Sequence, residues 1–260
     1  MSEAKLRVER DGPVGIMLFD NPARRNAIAA DMWRAIPPAL ADFGADETIR
    51  CIVLRGAGEV AFAAGADISE FEEKRAGSDA VKAYEAQVDA AHAALEKSPK
   101  PVIALIHGFC VGGGLACALS CDLRYAGESS RFAIPAARLG VGYGVRGLNR
   151  LAATVGHAAA REIMFTARRY DAREALAMGL VNRVFPDAEL DRAVREIAGQ
   201  IAKNAPLTIA ASKSVINAIV EPHGDFSEGV ARVERCMQSE DYAEGRRAFM
   251  EKRSPKFKGR

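Results

Sequence analysis

PVIALIHGFCVGGGLACALSC, residues Pro101 to Cys121, is the stretch on which the reading of the chain turns. The apolar run from Pro101 to Ile106, bounded by Pro and Gly, predicts a buried strand. Gly112, Gly113 and Gly114 follow, and then a small-residue helix from Leu115 to Ser120. Strand, glycine turn and helix in that order leave backbone N–H groups free at a helix N-terminus, a site for negative charge. Glycine suits such a place because a Cβ would hold a ligand away from the backbone. The same pattern also makes a tight turn in an α/β core.

Outward from that stretch, composition narrows the class. The chain has 260 residues, 49% of them hydrophobic, enough for one large domain or a domain with an appendage. A net charge of +2 points to neither nucleic acid nor an acidic partner. The cysteines are Cys51, Cys110, Cys117, Cys121 and Cys236. Their odd number and mostly apolar surroundings read as reduced core residues. Cys117 and Cys121 are four apart but lack a nearby His pair, so no metal site is expected. The charged start MSEAKLRVER and the lack of a long apolar run lead us to expect a soluble cytoplasmic protein.

In chain order, Lys5–Arg10 and Val14–Phe19 around Asp11-Gly12 predict a hairpin. Ala23-Arg24-Arg25-Asn26-Ala27 is a basic loop. A helix capped by Asp31 is expected to about Phe43, kinked or shortened by Pro37-Pro38. Ile49–Arg55 reads as a second buried strand. Ala61–Ser69, AFAAGADIS, carries a turn of minimal side chains where backbone amides can again approach a ligand. Glu70–Lys97 reads as a long helix with a loop near Gly77-Ser78, Leu123–Tyr125 and Arg131–Ile134 as short strands, and Leu139–Arg150 as a glycine-rich loop carrying Tyr143. Helices at Asn149–Thr154, His157–Phe165 and Ala172–Met178 and a strand at Val181–Phe185 follow, and the chain beyond Ala188 reads as helical. The fold class is therefore α/β, with C-terminal helices that must fold back on the body or on a neighbouring subunit.

Taken together these stretches resemble the crotonase (enoyl-CoA hydratase/isomerase) superfamily. The marks are Arg24-Arg25-Asn26-Ala27, AFAAGADIS, PVIALIHGFCVGGG, CDLRYAG at 121–127, FTARRYDAREALAMGLVNRV at 165–184 and SEDYAEGRRAFMEKRSPKF at 239–257. The resemblance implies a spiral of ββα units over residues 1–200 and a helical trimerisation segment over 201–260. It also implies a trimer or dimer of trimers, acyl-CoA substrates, and no cofactor beyond the CoA of the substrate. Backbone N–H groups of Ala66 and Gly113 would form an oxyanion hole for the thioester carbonyl. Ala64, Ala66, Asp67, Ile68, Ser69 and Gly113 would line the path of CoA. Arg24, Arg25 and the amide of Ala27 would approach its phosphates or thioester end.

The chain departs from the hydratase pattern at two places. Glutamates that hold and activate water in hydratases of the family correspond here to Ala116 and Ala136. Methyl groups cannot transfer a proton. Tyr143, in LGVGYGVRG, is the polar group expected nearest the substrate α-carbon, and its surroundings are similar to methylmalonyl-CoA decarboxylase-like members. That enzyme's pattern implies His and Glu where this chain has Ala66 and Ala116. A lyase of decarboxylase type is the expected chemistry. Hydration or isomerisation using Glu70 or Glu73, and acyl-CoA binding without catalysis, are the alternatives. Arg138, Arg146, His107, His92, His157 and His223 are read as structural or surface residues.

Overall fold

The computed structural model describes residues 4–67, 78–221 and 224–260. Among the described residues ten strands form two sheets. The larger has the order β1 (Lys5–Asp11), β2 (Val14–Asp20), β3 (Cys51–Gly56), β5 (Val102–Ile106), β7 (Leu123–Gly127), β10 (Arg183–Phe185). The smaller has the order β4 (Ala61–Ala63), β6 (Phe109–Val111), β8 (Arg131–Ala133), β9 (Tyr170–Asp171). The β1–β2 hairpin is antiparallel, and β2, β3, β5, β7 and β10 then run parallel. Central strands of such a sheet are covered on both faces, which is why CIVLRG and VIALI are apolar almost throughout rather than alternating.

A repeat hidden in the sequence emerges from this order. Each of β3–β4, β5–β6 and β7–β8 gives one strand to the large sheet and a short one to the small sheet. A helix follows each pair: α2 (Ser78–Lys97), α3 (Gly113–Leu119) and α4 (Ala136–Leu139), after α1 (Ala30–Ala45) has followed the hairpin. The strand at Phe109–Val111 escaped the sequence reading, and without it the small sheet has no centre.

Three expectations are corrected. Pro37-Pro38 do not shorten α1, which runs on to Ala45 because Ala39, Leu40 and Phe43 are buried beyond the prolines. Ala29, not Asp31, stands at its N-cap; Asp31 lies in the first turn and pairs with Arg34. The helices expected at 149–154 and 157–165 are present on either side of a kink at Gly156, whose φ of +76° requires glycine, but the first begins earlier than expected, so that the pair, α5, spans Val145–Thr166. The loop around Tyr143 is correspondingly shorter.

After α6 (Ala172–Ala177) and α7 (Asp187–Ala202), the chain ends in α8 (Pro206–Val220), α9 (Ser227–Met237) and α10 (Glu240–Met250). The first of these is fastened to the body. Lys213 Nζ meets Asp122 at 2.8 Å and the Leu95 carbonyl at 3.1 Å, and Asn217 Nδ2 donates to the Glu96 carbonyl at 2.8 Å. Ile216, Ile219, Phe249 and Met250 remain exposed. No helix among the described residues is long and apolar enough to cross a membrane.

Candidate active site

The two turns singled out in the sequence meet because β4 and β6 are parallel neighbours, with Ala61 opposite Phe109 and Ala63 opposite Cys110. Their continuations, Ala64–Asp67 and Val111–Gly114, therefore leave the small sheet side by side. Close approach demands glycine here. A Cβ on Gly114 would stand 2.5 Å from the Ala63 carbonyl oxygen, and Gly112 has φ +54°.

Backbone pairing aims the amides. The Ile28 N–H donates to the Gly65 carbonyl at 2.8 Å, and the Asp67 N–H donates to the Ile28 carbonyl at 3.0 Å. Ile28 thus pairs as in a parallel bridge with the residues on either side of Ala66, so the N–H of Ala66 itself points away from it. The Gly113 N–H opens α3, where no helical carbonyl precedes it. Neither amide donates to a backbone oxygen among the described residues. A Cβ on Gly113 would sit 3.4 Å from the Ala66 nitrogen and 3.5 Å from Trp33 Cζ2.

Both turns line a cavity of about 670 Å3. Ala64, Gly65, Ala66, Gly112 and Gly113 form one part of its wall, Ala116, Pro135 and Ala136 another, and Trp33, Tyr84 and His92 a third. The loop carrying Tyr143 and the first turn of α5, with Arg146, complete it. The methyl groups of Ala116 and Ala136 thus face the same space as the two amides. Glu85 and Asp89, on exposed positions of α2, are the carboxylates on this wall among the described residues.

Two polar side-chain atoms in this wall are buried and without a hydrogen-bond partner among the described residues: Tyr143 Oη and His92 Nε2. A buried polar group left unpaired costs about 1–3 kcal/mol, so such groups call for an explanation. Burial, with a small contribution from Cys110, pushes the Tyr143 hydroxyl up to about 12. His92 is lowered to about 4, chiefly by burial and secondarily by the positive charge of Arg146. Both are thus neutral at pH 7. His92 stands edge-on to Trp33, with ring centroids 5.4 Å apart, and the Trp33 indole N–H donates to the Tyr84 hydroxyl at 3.2 Å.

The remaining expected site residues lie beside the cavity rather than on its wall. Arg24 Nη1 pairs with Asp67 at 2.7 Å, bracing the turn that carries Ala66. The Arg25 guanidinium lies over the Phe109 ring, 5.0 Å from its centroid. The Ala27 N–H donates to the Arg24 carbonyl at 3.1 Å and is spent within its own turn. Ile68, Ser69, Glu70, Glu73 and His223 lie outside the described residues. His107 is partnered, with Nε2 2.6 Å from Asp191 Oδ2.

Sequence reasoning passed over two residues that shape the site. Asn26, buried with φ +56°, donates through Nδ2 to the carbonyls of Ala61 at 2.7 Å and Ala57 at 3.0 Å, locking the basic loop onto β4. An Asn in a tight loop was the available signal, since it tolerates the left-handed region. His92 gave no signal among its neighbouring alanines.

Two sheets wound from a repeated strand–strand–helix unit, with a cavity at the ends of the short strands, define a crotonase-type α/β fold. A family model described as enoyl-CoA hydratase/isomerase matches residues 9–260, and the chain belongs to that family. It is 36% identical over 249 residues to a short-chain-enoyl-CoA hydratase of Clostridium acetobutylicum, covering 95% of this chain and 94% of that one. It is also 36% identical over 266 residues to a carnitinyl-CoA dehydratase of Salmonella typhi, covering both chains fully. Among solved structures, an enoyl-CoA hydratase/carnithine racemase from Magnetospirillum magneticum superposes with a TM-score of 0.93 at 37% identity, over 100% of this chain and 97% of that one. The protein is thus an acyl-CoA-processing member of the crotonase superfamily.

Proposed function

We propose that the protein stabilises the enolate of an acyl-CoA thioester with the amides of Ala66 and Gly113, and that it is a lyase of decarboxylase type. The observation that carries this reading is the pair of amides, without a backbone acceptor among the described residues, on a wall that presents methyl groups at Ala116 and Ala136. Breaking a bond to the α-carbon sends an electron pair toward the thioester oxygen, and one donor aimed at such an oxygen is typically worth about 2.7–4 kcal/mol. Decarboxylation needs no base. The electrons of the Cα–carboxylate bond form the enolate double bond, the thioester π pair moves to oxygen, and carbon dioxide departs. A proton from water then adds to the α-carbon. Before cleavage, Tyr143 is the group proposed to hold the carboxylate across the thioester plane by a hydrogen bond from its neutral hydroxyl, which is buried in the free protein and must turn to the cavity to make it.

A second reading is supported by Glu85 and Asp89, which line the cavity and could handle protons in hydration or isomerisation. It also agrees with relatives named as a hydratase and a dehydratase. Incubation with malonyl-CoA, methylmalonyl-CoA and crotonyl-CoA, followed by mass spectrometry of the products, separates the readings. Loss of carbon dioxide is expected. Addition of water to crotonyl-CoA without decarboxylation overturns the first reading for the second. Tight binding without turnover leaves an acyl-CoA-binding protein. We further propose a cytoplasmic trimer or dimer of trimers, supported by the exposed apolar side chains of α8 and α10.

A further inference from the structure

We propose that Asn217, on α8 and outside the cavity wall, is a positioning residue for the acyl side of the site, closing a ring of hydrogen bonds that fixes α2 and α5 relative to each other. The inference rests on the reading that the cavity holds the acyl group of a CoA thioester.

Two walls of the cavity are joined chiefly by side chains. α2 gives it Tyr84, Val88 and Asp89, and α5 gives it Val145, Arg146 and Gly147. Among the described residues α2 packs on α1, while α5 packs on α3, α4 and α8. What ties the last turn of α2 to the start of α5 is Glu96, whose carboxylate takes Arg146 Nη1 at 2.8 Å and Arg150 Nε at 3.1 Å.

Asn217 completes that tie. Its Oδ1 accepts from Arg150 Nη1 at 3.2 Å, and its Nδ2 donates to the Glu96 main-chain carbonyl at 2.8 Å. That carbonyl is one of the last four of α2, which no helical N–H can reach. One carboxamide thus supplies the acceptor that α5 needs and the donor that α2 needs. The Arg150 side chain is only 15% exposed, and its Nη2 is already buried without a partner among the described residues. Without Asn217 it loses an acceptor that water does not readily replace. The guanidinium then has to turn, Glu96 turns with it, and Arg146, which shares that carboxylate, shifts on the cavity wall. Members of such a circuit act as a unit.

Titration calorimetry with octanoyl-CoA and with free CoA, on protein shown by thermal melting to be folded, tests this. Asn217→Leu, similar in size but without hydrogen bonds, is expected to weaken octanoyl-CoA about fivefold or more while free CoA changes less than about twofold. Asn217→Asp keeps the acceptor for Arg150 and loses the donor to Glu96. It is expected to weaken octanoyl-CoA by more than about twofold but less than the Leu variant does. Added to Arg150→Met, Asn217→Leu is expected to weaken octanoyl-CoA no further than Arg150→Met alone, because the two act through one circuit. Parallel weakening of both ligands overturns the inference, as does a lowered melting temperature with octanoyl-CoA affinity unchanged, or full additivity of the two substitutions. If the Leu variant fails to fold, an Asp variant that binds both ligands as the unaltered protein does overturns it. Unaltered protein that binds octanoyl-CoA no tighter than free CoA overturns the reading of the cavity as the acyl site, and the inference with it.

Discussion

The main-chain nitrogen of Ala66 lies 3.4 Å from the point where a side chain on Gly113 would begin. The two turns are thus as close as van der Waals contact allows, and a methyl group between them fits without a clash. Gly113→Ala separates function from fold for that reason. Stability is expected to change by less than about 1 kcal/mol, because Gly113 has φ and ψ that alanine adopts. Thioester turnover is expected to fall about a hundredfold or more, the usual effect of disabling one donor to a developing oxyanion. The amide itself is kept, and the methyl acts by occupying the space beside the two nitrogens; thermal melting and steady-state kinetics on the same preparation check it, and unchanged turnover would show that the thioester oxygen does not lie in that space.

Gly114→Ala, one residue on, has the opposite profile. Its Cβ would stand 2.5 Å from the Ala63 carbonyl oxygen and 2.7 Å from the Ala63 Cβ. Neither neighbour is a flexible side-chain end, so β4 must move. A loss of about 1–3 kcal/mol in denaturant unfolding is expected, as for overpacking of a close-packed core. Turnover falls with it, since β4 leads directly into Ala66.

Restoring glutamate at 116 and 136 tests what the two methyl groups mean. Both positions border the cavity, with Ala136 7% exposed. The double variant Ala116→Glu/Ala136→Glu is expected to add water to crotonyl-CoA, followed by the loss of enoyl absorbance. Each single variant is expected to do so much more weakly, because one carboxylate cannot serve as both acid and base. Failure of the double variant would mean that the pocket lacks more than these two side chains.

The sequence made these turns legible because each needs residues without side chains at fixed places between apolar strands. β3 and β5 were legible for a related reason: strands buried on both faces read as unbroken apolar runs. β6 and β9 were not, because three and two residues are too few for a period. The two helices of α5 were legible because Gly156 interrupts the backbone between them, and only the early start at Val145 was not. Asn26 and His92 escaped for a deeper reason. Their roles come from what lies against them in space, the carbonyls of β4 and the ring of Trp33, and nothing adjacent in the chain announces either.

Glu96 is the carboxylate on which the α5 side of the site rests. Its side chain is 3% exposed and takes Arg146 and Arg150, while the Ser120 hydroxyl donates to it at 3.4 Å. Glu96→Ala would leave the largely buried Arg150 without its carboxylate. Loss of one partner from a buried pair typically costs 3–5 kcal/mol, and the partial exposure of Arg146 lowers the expectation to about 2–4 kcal/mol. The exposed i,i+4 pair of Arg232 and Glu228 provides the contrast. Glu228→Ala is expected to cost no more than about 0.5 kcal/mol. Urea unfolding of both variants distinguishes a structural ion pair from a solvated one.

Finally, His92 should make stability depend on pH in a definite direction. Burial and Arg146 lower it from 6.5 to about 4, so between those values the unfolded chain binds a proton that the folded chain refuses. Stability contributed by the neutral imidazole is therefore fully present above pH 6.5 and is lost as pH falls toward 4. The shift corresponds to about 3 kcal/mol. His92→Phe has no proton to refuse. Its unfolding free energy is expected to fall less than that of the unaltered protein between pH 7 and pH 4, by up to that amount, while carboxylates common to both cancel in the difference. Identical pH profiles would show that the folded protein accepts the proton on His92, and that Nε2 is better solvated than its burial indicates.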